Sequence, residues 1–231
     1  MKKVEKWQSR LKIRRYSTLI LLITFLLSLV FIGLTVYGTK SGNFVINITE
    51  ESQVKLSLST TPDFYEPSAY LYAKGLPEMH LCTFNWLPDT NSFKDGSDND
   101  NYRRRYIAYT FYLKNYSDTA VDVVAAIDII DVTKKVDSAV RVMVITDNQT
   151  ANIYAKAQEE GENIGMPETC GGYNTIPFVS EKVVMSQEYI NFNSGAVIKF
   201  TVVIWLEGED AQGVDFLKGG RLKMVMNFNG Y

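Results

Sequence analysis

Residues 17–37, STLILLITFLLSLVFIGLTVY, run without a single charged side chain. As a helix these 21 residues would span about 31 Å, close to the hydrocarbon thickness of a bilayer. Lys2, Lys3, Lys6, Arg10, Lys12, Arg14 and Arg15 precede the run and only Glu5 opposes them, so residues 1–16 carry +6. On the far side Lys40 is the only nearby cation. The positive-inside bias therefore predicts a cytoplasmic basic tail (1–16), a single transmembrane signal anchor (17–37) and an extracytoplasmic domain (38–231) at the cell membrane. A cleaved signal peptide is the competing reading. It would have a shorter apolar core, about 7–15 residues, and a small-residue cleavage site, to which Val36-Tyr37-Gly38 is a poor match.

The whole chain is −2, so the part beyond the +6 tail carries −8. That balance argues against nucleic acid and against docking of the domain on anionic lipid. The remaining length, roughly 190 residues, suits one well-buried domain.

Its dominant pattern has period two, the signature of half-buried strands. Phe44, Ile46 and Ile48 alternate with polar residues, and so do Val54, Leu56 and Leu58. The simplest pairing joins these two as a hairpin across Glu50-Glu51-Ser52. The alternative leaves residues 43–49 as an edge strand, open to a protein partner or to self-association. Ile107, Tyr109, Phe111 and Leu113 share one face of a strand, as do Val121, Val123, Ala125, Ile127 and Ile129, with Asn115-Tyr116-Ser117-Asp118 as the turn of a hairpin between them. Residues 139–146 are apolar on both faces, as in a central strand. Two further strands stand out, one through Ile198, Phe200, Val202, Ile204 and Leu206, the other through Leu222, Met224, Met226 and Phe228. Residues 209–217 read as one short helix ended by Gly219-Gly220. The expected fold is all-β, a Greek-key or jelly-roll-like β-sandwich after one N-terminal membrane helix.

Few residues offer chemistry. His80 is the only histidine, which excludes a His-rich metal cluster and most clustered histidine catalysis. Cys82 and Cys170 are the only cysteines; an even pair in an exported domain suggests a disulfide, and two small buried hydrophobes are the alternative. Asp95, Asp98 and Asp100 supply hard oxygens of the kind a calcium loop needs, but without the Asp-x-Asp-x-Asp-Gly order or a closing Glu, so a solvated turn is the default. Glu207, Glu209 and Asp210 could pair as acid and base of a hydrolase, although acids at a helix start serve the dipole as well. Arg103-Arg104-Arg105 reads as a charged strand entrance paired with Asp98 and Asp100. Tyr106, Tyr112 and Trp205 are the candidates for stacking on a glycan or peptide, against the plainer reading of cross-strand pairs. No cofactor is implied and no enzyme is expected.

Several stretches resemble a group of uncharacterised exported, membrane-anchored β-sandwich proteins of Gram-positive bacteria. They are the basic tail and export helix, then Gly42-Asn43-Phe44-Val45-Ile46, Tyr109-Thr110-Phe111-Tyr112-Leu113-Lys114-Asn115, Ala139-Val140-Arg141-Val142-Met143-Val144 and the segment from Thr201 to Asp210. The architecture and the Phe-Tyr-Leu-Lys-Asn strand are more distantly similar to the camelysin/TasA group of surface and biofilm-fibre proteins. The resemblance implies a jelly-roll domain on the cell surface that acts as a structural or interaction module. A glycan- or peptide-binding ectodomain is the alternative and a carboxylate hydrolase the third reading. No catalytic residues carry over.

Overall fold

The computed structural model describes residues 17, 20–32, 44–147, 151–158, 165–167, 169–208 and 217–231. The chain forms two compact units, Met1–Ser41 and Gly42–Tyr231.

In the first unit residues 20–32 are helical, and within that unit their large apolar side chains are exposed on every side. Thr24 Oγ1 donates to the carbonyls of Ile20 and Leu21, and Ser28 Oγ to that of Phe25, so the hydroxyls are satisfied within the helix. Among the described residues no helix is long and apolar enough to cross a membrane. The expected span of 17–37 lies partly outside the described residues, and the basic tail of 1–16 wholly so.

The second unit is predominantly β. Its strands, in chain order, are β1 (Phe44–Ile48), β2 (Leu56–Ser59), β3 (Tyr70–Ala73), β4 (Leu81–Cys82), β5 (Gly96–Ser97), β6 (Tyr106–Asn115) and β7 (Val121–Val132). There follow β8 (Val140–Thr146), β9 (Asn152–Ala155), β10 (Ile176–Pro177), β11 (Val183–Phe192), β12 (Val197–Glu207) and β13 (Leu222–Gly230). One sheet has the order β11-β7-β13-β1-β3; the other runs β10-β9-β8-β12-β6-β2, with β4 added beside β12 and β5 beside β6. The helix expected over 209–217 falls almost entirely outside the described residues.

Two expected hairpins are not formed. β1 pairs in parallel with β13 and antiparallel with β3, while β2 pairs with β6 in the other sheet. The link between β1 and β2 follows the end of β13, through Thr49 N–H to Phe228 O and Gln53 N–H to Gly230 O, before crossing over. A Cβ on Gly230 would lie 2.2 Å from Val54 Cγ2, so this crossing needs a glycine beneath it. With β13 on one side and β3 on the other, β1 is no edge strand. Residues 115–118 do form a turn, but it carries the chain from β6 in one sheet to β7 in the other. Buried Asn115 makes that crossing: its Nδ2 donates to Thr119 O and Phe192 O, and its Oδ1 accepts from Ser117 N–H. Local turn chemistry is the same in a hairpin and in a crossover, which is why spacing alone misassigned the pairing.

Burial explains the strand sequences. β7 and β13 alternate buried and half-buried residues along most of their length, whereas β6, β8 and the middle of β12 are buried continuously. Alternate residues of a strand face opposite ways. Phe200, Val202 and Ile204 of β12 join Ile107, Tyr109, Phe111 and Leu113 of β6 and residues of β7, β13 and β1 in one core cluster shared by the two sheets. Val203 and Trp205, on the other face of β12, belong to a second cluster with Tyr106, Ala108, Met143, Ile145, Cys82, Cys170 and Phe93. The β12 sheet therefore has apolar cover on both faces.

Candidate functional site

The second cluster is roofed by chain with little regular structure, and that roof contributes to a surface recess. β4 starts it, pairing in parallel with the end of β12 so that Cys82 is opposite Glu207, with Gly208 N–H on Cys82 O. A single helical turn, Phe84–Trp86, follows and is closed by Trp86 N–H to Thr83 O and Leu87 N–H to Phe84 O. The turn divides its aromatics. Phe84 packs inward, 4.9 Å from the Tyr173 ring and 6.3 Å from that of Trp205. Gly171, at φ 56°, passes so close that a Cβ would meet Phe84 Cδ1 at 2.6 Å. Trp86 faces out and is 50% exposed.

The β5–β6 ladder brings cations to it. Its pairing continues through Asp98 N–H to Ala108 O and Asp100 N–H to Tyr106 O, leaving residues 100–105 as the tip. Asp100 organises that tip: Oδ1 accepts from Arg103 N–H at 3.0 Å and Oδ2 from Arg105 Nε at 2.6 Å. Burial pushes the Asp100 carboxyl upward, but the hydrogen bonds from Arg103 and Arg105 and the charges of both guanidiniums outweigh it and hold the group below the usual carboxylate range. Trp86, Arg103 and Arg105 line a recess of about 470 Å³.

Beneath the recess Glu207 Oε2 accepts from Trp205 Nε1–H at 2.5 Å and from Cys170 Sγ–H at 3.0 Å. Cys82 Sγ–H donates to Thr83 O at 3.3 Å. Burial raises the Cys82 thiol to about 11. Burial and then the Glu207 carboxylate raise Cys170 further. Neither is a thiolate at neutral pH, so neither is poised as a nucleophile.

The structure relocates most of the residues marked in the sequence. Tyr106, Tyr112 and Trp205 are 8%, 9% and 0% exposed, so they are packing residues and not a stacking platform. Their face of the sheet is covered, and Tyr106 meets Phe93 edge-on. The calcium candidates are separated by their partners: Asp95 Oδ1 accepts from Tyr112 Oη–H, Asp98 from Lys94 N–H, and Asp100 from the arginine tip. Among the described residues no three potential ligands converge. Cys82 and Cys170 lie in the same cluster as expected of a pair, but both are free thiols with separate acceptors. His80 is exposed while Cys82 is buried, so they form no pair. Of the acidic group at the end of β12, Glu209 and Asp210 lie outside the described residues. The role of Trp86 was missed. Its only signal is an aromatic in a Pro-bounded loop, which looks the same whether the ring turns in, as Phe84 does, or out. Comparison with known protein families, curated proteins and solved structures finds no match to this chain.

Proposed function

We propose that this chain is a surface module of the bacterial envelope, held by residues 17–37 as an uncleaved single-pass anchor with its N-terminus in the cytoplasm, and that its extracytoplasmic domain works by binding. The domain is read as a Greek-key, jelly-roll-like β-sandwich, in keeping with two sheets that share one core and with the resemblance to exported Gram-positive proteins. The observation that carries the binding reading is the recess of Trp86, Arg103 and Arg105: an exposed indole beside two guanidiniums on a chain whose remainder beyond the tail is acidic. Catalysis has less support. Among the described residues the carboxyls displaced from their usual range, Asp63 and Asp100, are both displaced downward, whereas acid–base pairs need one raised and one lowered.

Two measurements test the reading. Protease added to intact protoplasts should digest the domain and leave a small protected fragment; finding the whole domain in the medium with a new N-terminus near Thr39 refutes the retained anchor. Full-length protein should sediment with purified cell-wall fragments, and Trp86→Ala should weaken that retention. Equal retention of both forms refutes the recess as the binding site.

A further inference from the structure

We propose that the recess recognises an anionic sugar residue, a saccharide ring bearing a carboxylate or phosphate group; this rests on the reading of the domain as a binding module and names its ligand. Three features of the recess fit that chemistry together. The first is a flat apolar platform: Trp86 is half exposed and held by the backbone bonds of its own helical turn. An indole takes the C–H face of a pyranose without demanding a particular hydroxyl pattern. The second is a cation already fixed in place. Arg105 meets Asp100 through Nε, and both side chains are largely buried at that contact, 18% and 11% exposed. Its two terminal amino groups make no hydrogen bond among the described residues, and they present the planar fork that matches carboxylate and phosphate oxygens. The third is a second cation without an ion partner. The Arg103 guanidinium makes no hydrogen bond or ion pair among the described residues, because Asp100 receives only its backbone N–H.

Charge and size narrow the ligand. Asp100 already answers Arg105 and the Glu207 carboxylate lies near, so what the recess offers an anion is the Arg103 guanidinium, which has no ion partner among the described residues, on a chain that is −8 beyond the tail. Diffuse attraction of anionic polymers to such a domain is weak, and recognition has to occur at this spot. A volume of about 470 Å³ falls in the range of pockets that hold small ligands. Inorganic phosphate alone would leave the indole uncovered, and a neutral sugar would leave the Arg103 guanidinium unanswered.

Calorimetric titration of the full chain in a polyoxyethylene detergent tests this with glucuronate, glucose 1-phosphate, glucose, inorganic phosphate and hexaglutamate as probes. Glucuronate or glucose 1-phosphate should bind about tenfold more tightly than glucose and than inorganic phosphate, and whichever binds tighter identifies the anionic group. Arg103→Ala should remove that preference. Arg103→Lys, which keeps the charge but not the fork, should lose part of it, and circular dichroism should show both variants folded. Raising salt should weaken the anionic probes and leave glucose unchanged. Glucose binding as tightly as its charged derivatives, hexaglutamate binding best, or no binding of either anionic sugar overturns the proposal. If wild type still sediments with cell wall in a Trp86-dependent way while these probes fail, the ligand class is wrong and the binding reading stands.

Discussion

The two faces of the β10-β9-β8-β12-β6-β2 sheet bury side chains by different means. Facing the other sheet, Phe111 and Phe200 stack at 5.4 Å, and Phe228 from the opposing β13 closes on them at 5.9 and 5.2 Å. Strand meets strand there, and apolar area dominates the contact. On the other face the row Arg141, Trp205 and Tyr106 crosses β8, β12 and β6, and further along the same face Thr110 and Thr201 share a 2.9 Å hydroxyl bond. Among the described residues no second sheet covers this row. Its roof is the loop chain around β4, Phe84–Trp86 and Cys170, fastened by the short β4–β12 pairing, by Gly208 N–H to Cys82 O and by Cys170 Sγ–H to Glu207. The first face carries the fold, and the second carries the recess on a layer that can open locally while the sheets stay together.

That contrast breaks most visibly at Phe228. Phe228→Ala empties the wedge between the sheets and should cost about 3–5 kcal/mol. The loss should appear as a lower urea midpoint for the whole domain, with tryptophan fluorescence and far-ultraviolet circular dichroism moving together. Separate transitions by the two probes would mean that the faces do not share one cooperative core.

Trp205→Phe probes the other face and should cost less, about 1–3 kcal/mol, mainly through the half-buried Glu207 carboxylate that loses an N–H donor. Its distinguishing sign is local. Alkylation of Cys82 and Cys170 should speed up well below the denaturant range of global unfolding, because the roof opens first. Denatured protein should show two free thiols. A bonded pair would make this layer cross-linked and would remove the predicted difference between the faces.

The outer face should also contribute to alkali sensitivity, beside the inner-cluster phenols of Tyr109, Tyr154 and Tyr189, which burial raises too. Burial raises Cys82 from 9.0 to about 11. Burial, then the hydrogen bond to Asp95, raises Tyr112 from 10.0 to about 12. A folded-state value above the unfolded one means that the folded form holds its protons longer, so the contribution is complete below pH 9 and is lost as pH rises toward 12. The urea midpoint should fall across that window, and Cys82→Ala together with Tyr112→Phe should flatten the fall. An unchanged slope in the double variant would place the alkaline sensitivity elsewhere.

How legible each face was in the sequence follows the same division. The inner faces of β6, β7, β12 and β13 were read correctly because Ile107 to Leu113 or Met224 to Phe228 alternate with residues that differ in polarity. Away from the strand ends, where Lys114, Lys199 and Glu207 lie, the outer face of β6 is Tyr106, Ala108, Thr110 and Tyr112, and that of β12 is Thr201, Val203 and Trp205. None is charged, and that absence was the available sign of a second buried face. Polar-capable aromatics at those places read instead as surface binders. The recess was illegible because its parts, Trp86 and Arg103, are far apart in sequence and meet only when β5 pairs with β6. Sheet membership was lost in the same way, since the turns at 49–55 and 115–118 look alike whether they return to the same sheet or leave it.

The smallest effect is expected at Arg104, between the two arginines of the recess. Its guanidinium lies 3.2 Å from Glu78, with side chains 43% and 66% exposed, so solvent screens the pair and its removal should cost well under about 1 kcal/mol. A backbone term opposes even that loss. Arg104 sits at φ 55°, in the left-handed region that a residue with a Cβ enters only at a cost of about 1 kcal/mol, and Arg104 N–H to Asp100 O at 2.7 Å keeps the tip in that conformation. Arg104→Ala keeps the strain and loses the pair, so its midpoint should drop slightly or not at all. Arg104→Gly loses the pair but relieves the strain, and should match or exceed wild type despite the greater freedom glycine gives the unfolded chain. Both variants should bind the anionic sugars as wild type does, since neither touches Trp86, Arg103 or Arg105. If Arg104→Gly unfolds at a clearly lower midpoint than Arg104→Ala, the Glu78 pair is not the only thing the side chain supplies, and the tip belongs with the structural face after all.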